Sequence, residues 1–270
     1  MDVTADTASR LAGRRVARLF AYRTLLKYLV LKDLKVRSRG TYLGIAWTLM
    51  NPLLTLVMYV VILKHVFRVG IPNFVSFFLV GLLMWMFFSR CMSKATTCIL
   101  DNEALVKESV FPLEILPLTV VVYHACHHAI ALGIALPIMV ALGGAQITWN
   151  LLWFVATMIA FTLFTVAVSL WLATVGVFFR DARDILEVGL PVLFWGTPIA
   201  YTPDMAPRIL RPLLTVNPLT SFIGSVRAAL LAGQMPSLTD LGWVTAWMVV
   251  MVCSGVWVFI RYGPRFAEEV

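Results

Sequence analysis

The stretch of sequence that decides the fold class is LLWFVATMIAFTLFTVAVSLWLATVGVFF, residues 151–179. It contains no ionisable side chain and ends at Arg180. An α-helix needs about 20 consecutive apolar residues to cross the hydrocarbon core of a bilayer. This stretch therefore predicts a membrane-spanning helix.

The composition of the whole chain agrees with a membrane protein. Of its 270 residues, 60% are hydrophobic and only 13% are charged, and the mean hydropathy is +0.88. Soluble globular domains carry roughly 25% charged residues, and disordered chains combine low hydrophobicity with high charge. Both classes are therefore excluded, and the composition predicts an all-α integral membrane protein.

Six stretches are apolar enough to predict crossings, although Asn51-Pro52 interrupts the first and Pro191 and Pro198 break the fifth. They divide the chain into an N-terminal segment (1–41), a six-helix transmembrane domain (42–262) and a short tail (263–270). The predicted spans are about residues 43–65, 74–97, 115–142, 151–179, 185–201 and 240–261.

Two shorter apolar runs lie between the fifth and sixth spans, at Leu213–Val216 and Leu219–Leu231. They are too short to cross a bilayer and too apolar to lie in water. Backbone that does not span survives at membrane depth only when it is buried in protein or lines a cavity. We therefore expect a re-entrant helical hairpin over about residues 205–232 on the periplasmic side.

The positive charge is unevenly distributed along the chain. There are 22 Lys and Arg residues against 14 Asp and Glu, and six spans with a cytoplasmic N-terminus would place 17 of the 22 cations inside. This asymmetry predicts that both termini are cytoplasmic. The basic N-terminus adjoins a long apolar run, so contact with anionic lipid head groups explains it better than a nucleic-acid partner.

The segment before the first span has the spacing of an amphipathic helix. Apolar side chains recur from Tyr22 at i, i+3, i+4 and i+7, although Asp33 interrupts the apolar face. The pattern predicts a helix lying in the cytoplasmic membrane interface, and a basic topology anchor is the alternative. The cations assigned to this helix are Arg23, Lys27, Arg37 and Arg39.

Motifs for bond chemistry are absent from the sequence. It contains no Gly-Lys of a P-loop, no GxSxG and no HExxH. A membrane-embedded transferase could be argued from Glu187 and the histidines at 124, 127 and 128, but Glu187 is predicted near the cytoplasmic face and the histidines at mid-span. For the histidines, lining of a polar cavity, interhelical hydrogen bonding and metal binding all remain open.

The predicted cytoplasmic loop over residues 101–114 is predominantly acidic, against the local charge rule. It carries a small apolar patch that includes Leu105, Val106 and Phe111, and Pro112 ends it. Acidic groups around such a patch suit a docking surface for another protein. An ordinary solvated connection is the alternative.

Six short motifs follow one another along the chain. They are RSRGTYLG (37–44) with Trp47 and Asn51-Pro52-Leu53, Gly81-Leu82-Leu83 with Trp85, Phe87 and Phe88, residues 102–117, Phe179-Arg180-Asp181, Thr197-Pro198-Ile199, and Asn217-Pro218-Leu219 with Arg227. In this order they resemble the membrane subunit of polysaccharide-type ABC exporters, the permease family that moves O-antigen and teichoic-acid polymers, and the resemblance covers roughly residues 20–262. The common serine of the family before Pro-Ile is Thr197 here, which keeps a hydroxyl.

The resemblance implies a half-channel that forms a homodimer on two copies of a separate nucleotide-binding ATPase subunit. ATP and Mg²⁺ would bind that partner, and we expect this chain to bind no cofactor or metal and to be no enzyme. The N-terminal amphipathic helix would be an interface helix that also touches the ATPase. The implied coupling helix, seated in the ATPase, contains Asp101, Asn102, Glu103, Leu105, Val106, Lys107, Phe111 and Pro112.

A path for a glycan is expected to use aromatic side chains, which offer an apolar face and, in Tyr and Trp, a polar tip. For each aromatic candidate the alternative is an interfacial belt or helix packing. The two arginines would meet a lipid diphosphate or cap the hairpin. The candidates are Tyr42, Trp47, Tyr59, Trp85, Phe87, Phe88, Tyr201, Arg208 and Arg211.

The function that the resemblance implies is ATP-driven export of a lipid-linked polysaccharide, of the O-antigen type, across the bacterial inner membrane. The alternative is an ABC permease for another substrate, such as teichoic acid, capsule, a small lipid or a drug.

Overall fold

The computed structural model describes residues 21–38, 46–62, 70–108 and 111–270, and within these ranges it contains helices and loops but no β-strand. The α-helices of these ranges are α1 (Arg23–Ser38), α2 (Ala46–Val60), α3 (Phe74–Thr97), α4 (Glu103–Glu108), α5 (Ile115–Ala141), α6 (Leu151–Phe178), α7 (Ala182–Trp195), α8 (Arg211–Val216), α9 (Pro218–Leu230), α10 (Leu238–Tyr262) and α11 (Phe266–Glu269).

Four of the described helices, α3, α5, α6 and α10, are long and apolar enough to cross a membrane. They coincide to within about two residues with the predicted second, third, fourth and sixth spans, which are confirmed as helices of spanning length. Helix α7 has 14 residues. At 1.5 Å per residue it is about 21 Å long, shorter than the hydrocarbon core of about 30 Å. The described part of α2 has 15 residues and begins directly after residues 39–45, which lie outside the described ranges.

Helix α6 lies at the centre of the bundle and packs against α3, α5, α9 and α10. Two glycines allow the closest approaches. A Cβ atom at Gly176 of α6 would collide with the carbonyl group of Thr96, and one at Gly255 of α10 would lie 2.5 Å from the carbonyl oxygen of Ala167. Helices in lipid associate by such tight packing at small residues, because lipid tails are as apolar as the side chains they replace.

Two hydrophobic clusters hold the helices together. The main core contains most of the buried phenylalanines, among them Phe78, Phe161 and Phe222, and joins α3, α5, α6 and α9. The second cluster lies where α1, α4 and α11 meet the ends of the long helices. It consists of Leu29, Cys98, Ile99, Val106, Ile115, Leu116, Val120, Leu170, Ala173, Val177, Phe259 and Phe266.

The region of the fifth predicted span differs from the expectation of a helix over 185–201. Helix α7 ends at Trp195, because Pro198 has no N–H to continue the helix and disfavours helical backbone at the preceding residue. The expected hairpin region contains α8 and α9, which meet at Asn217. Helix α9 is largely buried, with Phe222 in the main core.

Candidate functional site

A cavity of about 1180 Å³ lies between α2, α3, α5 and α7, and we call it the chamber. Helix α3 presents one face to it, since Leu82, Met86, Ser93 and Thr97 recur at helical spacing. The cavity is larger than the 300–1,000 Å³ typical of sites for small molecules. The chamber therefore has room for a ligand larger than an ordinary metabolite.

Aromatic side chains form one end of the chamber. The Tyr59 ring centroid lies 5.8 Å from that of Phe194 and 6.3 Å from that of Trp195, and the Trp85 centroid lies 5.5 Å from that of Phe194. The structure therefore brings together two predicted path residues, Tyr59 and Trp85. Phe194 and Trp195 are not among the predicted ones, and their position directly before the break at Gly196 is the signal that could have marked them.

Charged side chains form the other end of the chamber. Lys94 Nζ donates to Asp101 Oδ2 at 2.6 Å, and Arg183 Nε donates to Glu187 Oε1 at 3.1 Å. Lys94 lies nine residues beyond Trp85 on α3, a separation of about 14 Å along the helix axis. The chamber thus combines an aromatic wall with a wall of ion pairs.

Three other predicted path residues do not line the chamber. Phe87 and Phe88 are buried in the main core, and both pack against Phe161, with ring centroids 5.8 Å and 6.3 Å away. The Tyr201 hydroxyl donates to the carbonyl oxygen of Trp195 at 2.8 Å. These contacts fit the packing alternative for the three side chains.

The two arginines proposed for the path lie near the start of α8. Arg211 donates to the carbonyl oxygens of Asp204 at 2.7 Å and of Ala206 at 3.1 Å. Arg208 is exposed. The contacts of Arg211 fit the alternative that it caps the hairpin.

Helix α1 packs against α5 through one face. Leu29 and Val30 are buried, whereas Arg23 and Lys27 are exposed. The chain is therefore helical where an amphipathic helix was expected, with these two cations away from the packed side. Among the predicted site residues, Arg39 and Tyr42 and the side chains of Arg37 and Trp47 lie outside the described residues.

The candidate coupling segment, residues 101–112, is tied to the end of α3. It begins with a 3₁₀ turn in which Asp101 accepts from Thr97 Oγ1 at 2.8 Å, in addition to its ion pair with α3. Asn102 Nδ2 donates to the carbonyl oxygen of Cys98 at 2.8 Å. These bonds fix the angle at which the segment leaves the helix.

Helix α4 of the coupling segment has a buried and an exposed side. Val106 is buried in the second cluster and Leu105 is 37% exposed, while Lys107 and Glu103 form a surface ion pair of 2.6 Å. Burial of a valine stabilises by about 1.5–3 kcal/mol, and an exposed ion pair by only about 0–1 kcal/mol. Packing therefore holds α4 in place, and α11 adds to it through the fully buried Phe266.

Phe111 and Pro112 complete the coupling segment, and both are partly buried. The Phe111 side chain packs against the second cluster. Burial also raises the pKa of the Cys98 thiol in this cluster above its ordinary range, so the thiol stays protonated and unreactive. The coupling segment thus packs against the buried apolar side chains of the second cluster.

Arg227 of α9 ties the hairpin to the rest of the bundle. It donates four hydrogen bonds to three backbone carbonyl oxygens: those of Phe77 at 3.0 and 3.2 Å, Pro198 at 2.7 Å and Ile199 at 2.6 Å. Gly81 leaves room for it, since a Cβ atom there would lie 2.8 Å from Nη2. In the sequence, Arg227 belongs to the last of the six motifs, which predicts none of these contacts.

Asn217, between α8 and α9, makes a second connection to the loop after α7. Its Nδ2 donates to Thr197 Oγ1 at 2.9 Å and to the carbonyl oxygen of Gly196 at 3.0 Å, and its Oδ1 accepts from Leu219 N at 3.0 Å. The Thr197 hydroxyl in turn donates to the carbonyl oxygen of Leu193 at 2.7 Å. Together with the contacts of Arg227, these bonds form what we call the hairpin lock.

Comparison with known proteins gives consistent matches over most of the chain. Residues 24–231 match the family model described as ABC-2 type transporter. The O-antigen export system permease protein RfbA of Myxococcus xanthus is 34% identical over 264 residues, which cover 95% of this chain and 99% of that protein. Two proteins of the same name from Klebsiella pneumoniae are 31% identical over 247 residues, covering 90% of this chain and 94% of theirs. The chain belongs to the ABC-2 type transporter family.

Proposed function

We propose that this chain is the permease subunit of an ABC exporter that moves a lipid-linked polysaccharide of the O-antigen type across a membrane. The observation that carries the proposal is the similarity to O-antigen export permeases over at least nine-tenths of both chains. The chain is a transport subunit, and a separate ATPase supplies the energy, as its family implies.

We infer six crossings in the bacterial inner membrane with both termini in the cytoplasm. The four long helices supply four of them, and α2 and α7 supply the first and fifth. The excess of Lys and Arg on the N-terminal side sets the orientation. In this arrangement the hairpin of α8 and α9 dips into the membrane from the periplasmic side.

The chamber is the proposed path of the substrate. Sugars stack on aromatic faces, and Tyr59, Trp85 and Trp195 offer such faces at one end. Arg90 and Lys94, one helical turn apart on α3, lie toward the charged end, where cations attract the phosphates that link a glycan to its lipid. The volume of about 1180 Å³ accommodates such a polymer segment.

A second copy of this chain completes the channel in our proposal. Helix α7 carries Ile185, Val188 and Val192 at helical spacing, and all three are exposed, as are Leu54 and Val57 of α2. Both helices also line the chamber. A partner copy seated on these apolar faces would enclose the chamber between two half-channels.

Cysteine cross-linking tests this dimer. We expect V188C to form a disulfide between two copies in membranes after the exposed Cys126 and Cys253 are replaced by Ala. The matched control is V249C, an exposed position on α10, which we expect to stay uncrosslinked. Equal cross-linking at both positions would contradict an interface centred on α2 and α7.

The ATPase is proposed to act on the coupling segment. ATP and Mg²⁺ would bind the ATPase, and its closure would push on α4. The segment can transmit this push to α3 through Asp101, which binds Lys94 and Thr97, and to α10 and α11 through the second cluster. Helix α3 lines the chamber from Leu82 to Thr97, so its displacement changes the chamber directly.

Deletion of the gene tests the proposed function. We expect the deletion strain to lose the polysaccharide from its surface and to accumulate it, still lipid-linked, on the cytoplasmic side. Re-expression of the chain should restore the surface polymer, and re-expression in a strain without the ATPase should not. A deletion strain with normal surface polysaccharide and altered resistance to a drug would instead favour a drug exporter.

A further inference from the structure

A small second cavity of about 20 Å³ lies beside the chamber, between α3 and α5, and we call it the side pocket. The three mid-span histidines of α5 line it, together with Arg90 and Phe87 of α3. Arg90 and His124 line the chamber as well. The side pocket is therefore a polar branch of the chamber wall.

The imidazole of His128 has an unusual environment in this pocket. Its Nε2 atom is buried and has no hydrogen-bond partner among the residues that the structure describes, and its ring stacks on Phe87 with centroids 5.1 Å apart. His127 differs, because its Nδ1 lies 2.9 Å from the carbonyl oxygen of Tyr123. An imidazole nitrogen left without a partner destabilises the fold, and the lipid core offers it no partner.

The size of the side pocket limits which molecule can form a hydrogen bond with Nε2 of His128. A water molecule needs a cavity volume of at least about 10–15 Å³. The side pocket, at about 20 Å³, therefore has room for one water and not for a phosphate group or a sugar. A metal ion is not favoured either, since no group of three or more His, Cys, Asp or Glu in the described part of the chain is arranged to hold one. Water suits a neutral imidazole, because it can donate to the ring nitrogen or accept from it.

We propose that the side pocket is a water site, in which one ordered water molecule binds Nε2 of His128 and lies directly behind His124 of the chamber wall. The water satisfies a nitrogen at the middle of α5 that would otherwise destabilise the helix contact with α3. The three histidines then line a hydrated cavity. This proposal does not depend on the identity of the exported substrate.

Hydroxyl-radical footprinting on the full chain in lipid nanodiscs tests the proposal. A short X-ray pulse splits bound water, and the radicals modify the side chains that touch it. Phe87 and Phe88 form a matched pair, since they are neighbours on α3 and only 4% and 5% exposed, but Phe87 lines the side pocket and Phe88 does not. We expect Phe87 to be modified several-fold faster than Phe88, as measured by mass spectrometry, and equal rates would overturn the proposal.

The variant H128L removes the nitrogen and keeps an apolar side chain of similar size. We expect the modification rate of Phe87 to fall to that of Phe88, while C126S, an exposed position on α5, leaves both rates unchanged. Undiminished modification of Phe87 in H128L would overturn the assignment of His128 as the ligand of the water. If H128L does not fold, the comparison of Phe87 with Phe88 in the unmodified chain decides. No export is measured, so the outcome is independent of the proposed function.

Discussion

The Arg227 guanidinium lies 3.4 Å from the centre of the Phe77 ring and donates to the carbonyl oxygen of the same residue. Removing a cation from water costs several kcal/mol, whereas a cation–π contact stabilises by only about 0.5–2 kcal/mol. Hydrogen bonds to a charged group contribute about 1.5–3 kcal/mol each. The carbonyl oxygens therefore supply most of the compensation, and they require a planar group with several donors.

This geometry predicts that lysine cannot replace Arg227. An ammonium group is a compact charge and lacks the planar arrangement of donors that a guanidinium has. It therefore cannot reach the carbonyl oxygens of Phe77, Pro198 and Ile199 together. We expect R227K to lower the unfolding temperature of the purified chain by several degrees and R227M to lower it further. The matched control is R208K, at an exposed arginine, for which we expect no shift. An R227K chain as stable as the unmodified one would show that the hairpin lock does not depend on a planar guanidinium group.

The lock also shows what the sequence could and could not predict. Apolar run lengths predicted the four long helices, and the proline at 198 marked the break in the fifth span. The position of Arg227 was missed because its acceptors lie 150 and 28 to 29 residues away in the chain. Such distant carbonyl oxygens leave no local pattern in the sequence.

Helix geometry explains why Trp85 lines the chamber and Phe87 does not. Successive residues of a helix are about 100° apart, so Phe87 lies about 200° around α3 from Trp85 and cannot face the same cavity. Applied to the predicted second span, this rule would have removed Phe87 from the path. The break at Gly196 could have marked Trp195 as a candidate, but its place beside Tyr59 could not be predicted, because it depends on how α7 packs against α2.

We predict that the hydroxyl group of Thr197 contributes more to the stability of the chain than the shape of its side chain does. It accepts from Asn217 and donates to the carbonyl oxygen of Leu193, and the residue is fully buried. The variant T197V keeps the volume and leaves the Asn217 amide short of one acceptor, which destabilises by about 1–3 kcal/mol. We expect denaturant unfolding to show this loss for T197V and little change for T197S. A valine variant as stable as the serine variant would mean that the hydroxyl is dispensable.

The exposed side of α4 is predicted to bind the ATPase. L105D places a charge on the exposed side of α4, while Val106 still anchors the helix in the second cluster. We expect L105D to abolish co-purification of the ATPase without lowering the stability of the chain. L142D, at an exposed leucine after α5, should leave the complex intact. Normal complex formation by L105D would place the docking surface elsewhere.

The aromatic end of the chamber leads to the last prediction. Trp195 is 55% exposed, and its ring lies beside that of Tyr59 in the chamber wall. Loss of one stacking surface weakens contact with a sugar ring, so W195A should reduce the rate of polymer export several-fold. W195F keeps an aromatic face and should retain most of the rate. W149A, at a tryptophan that is 91% exposed outside the chamber, should export at the normal rate. Surface polysaccharide per cell, measured after induction of the chain in a deletion strain, distinguishes the three variants. If W195A and W149A export equally well, the glycan does not stack at this end, and the path must run along the charged wall instead.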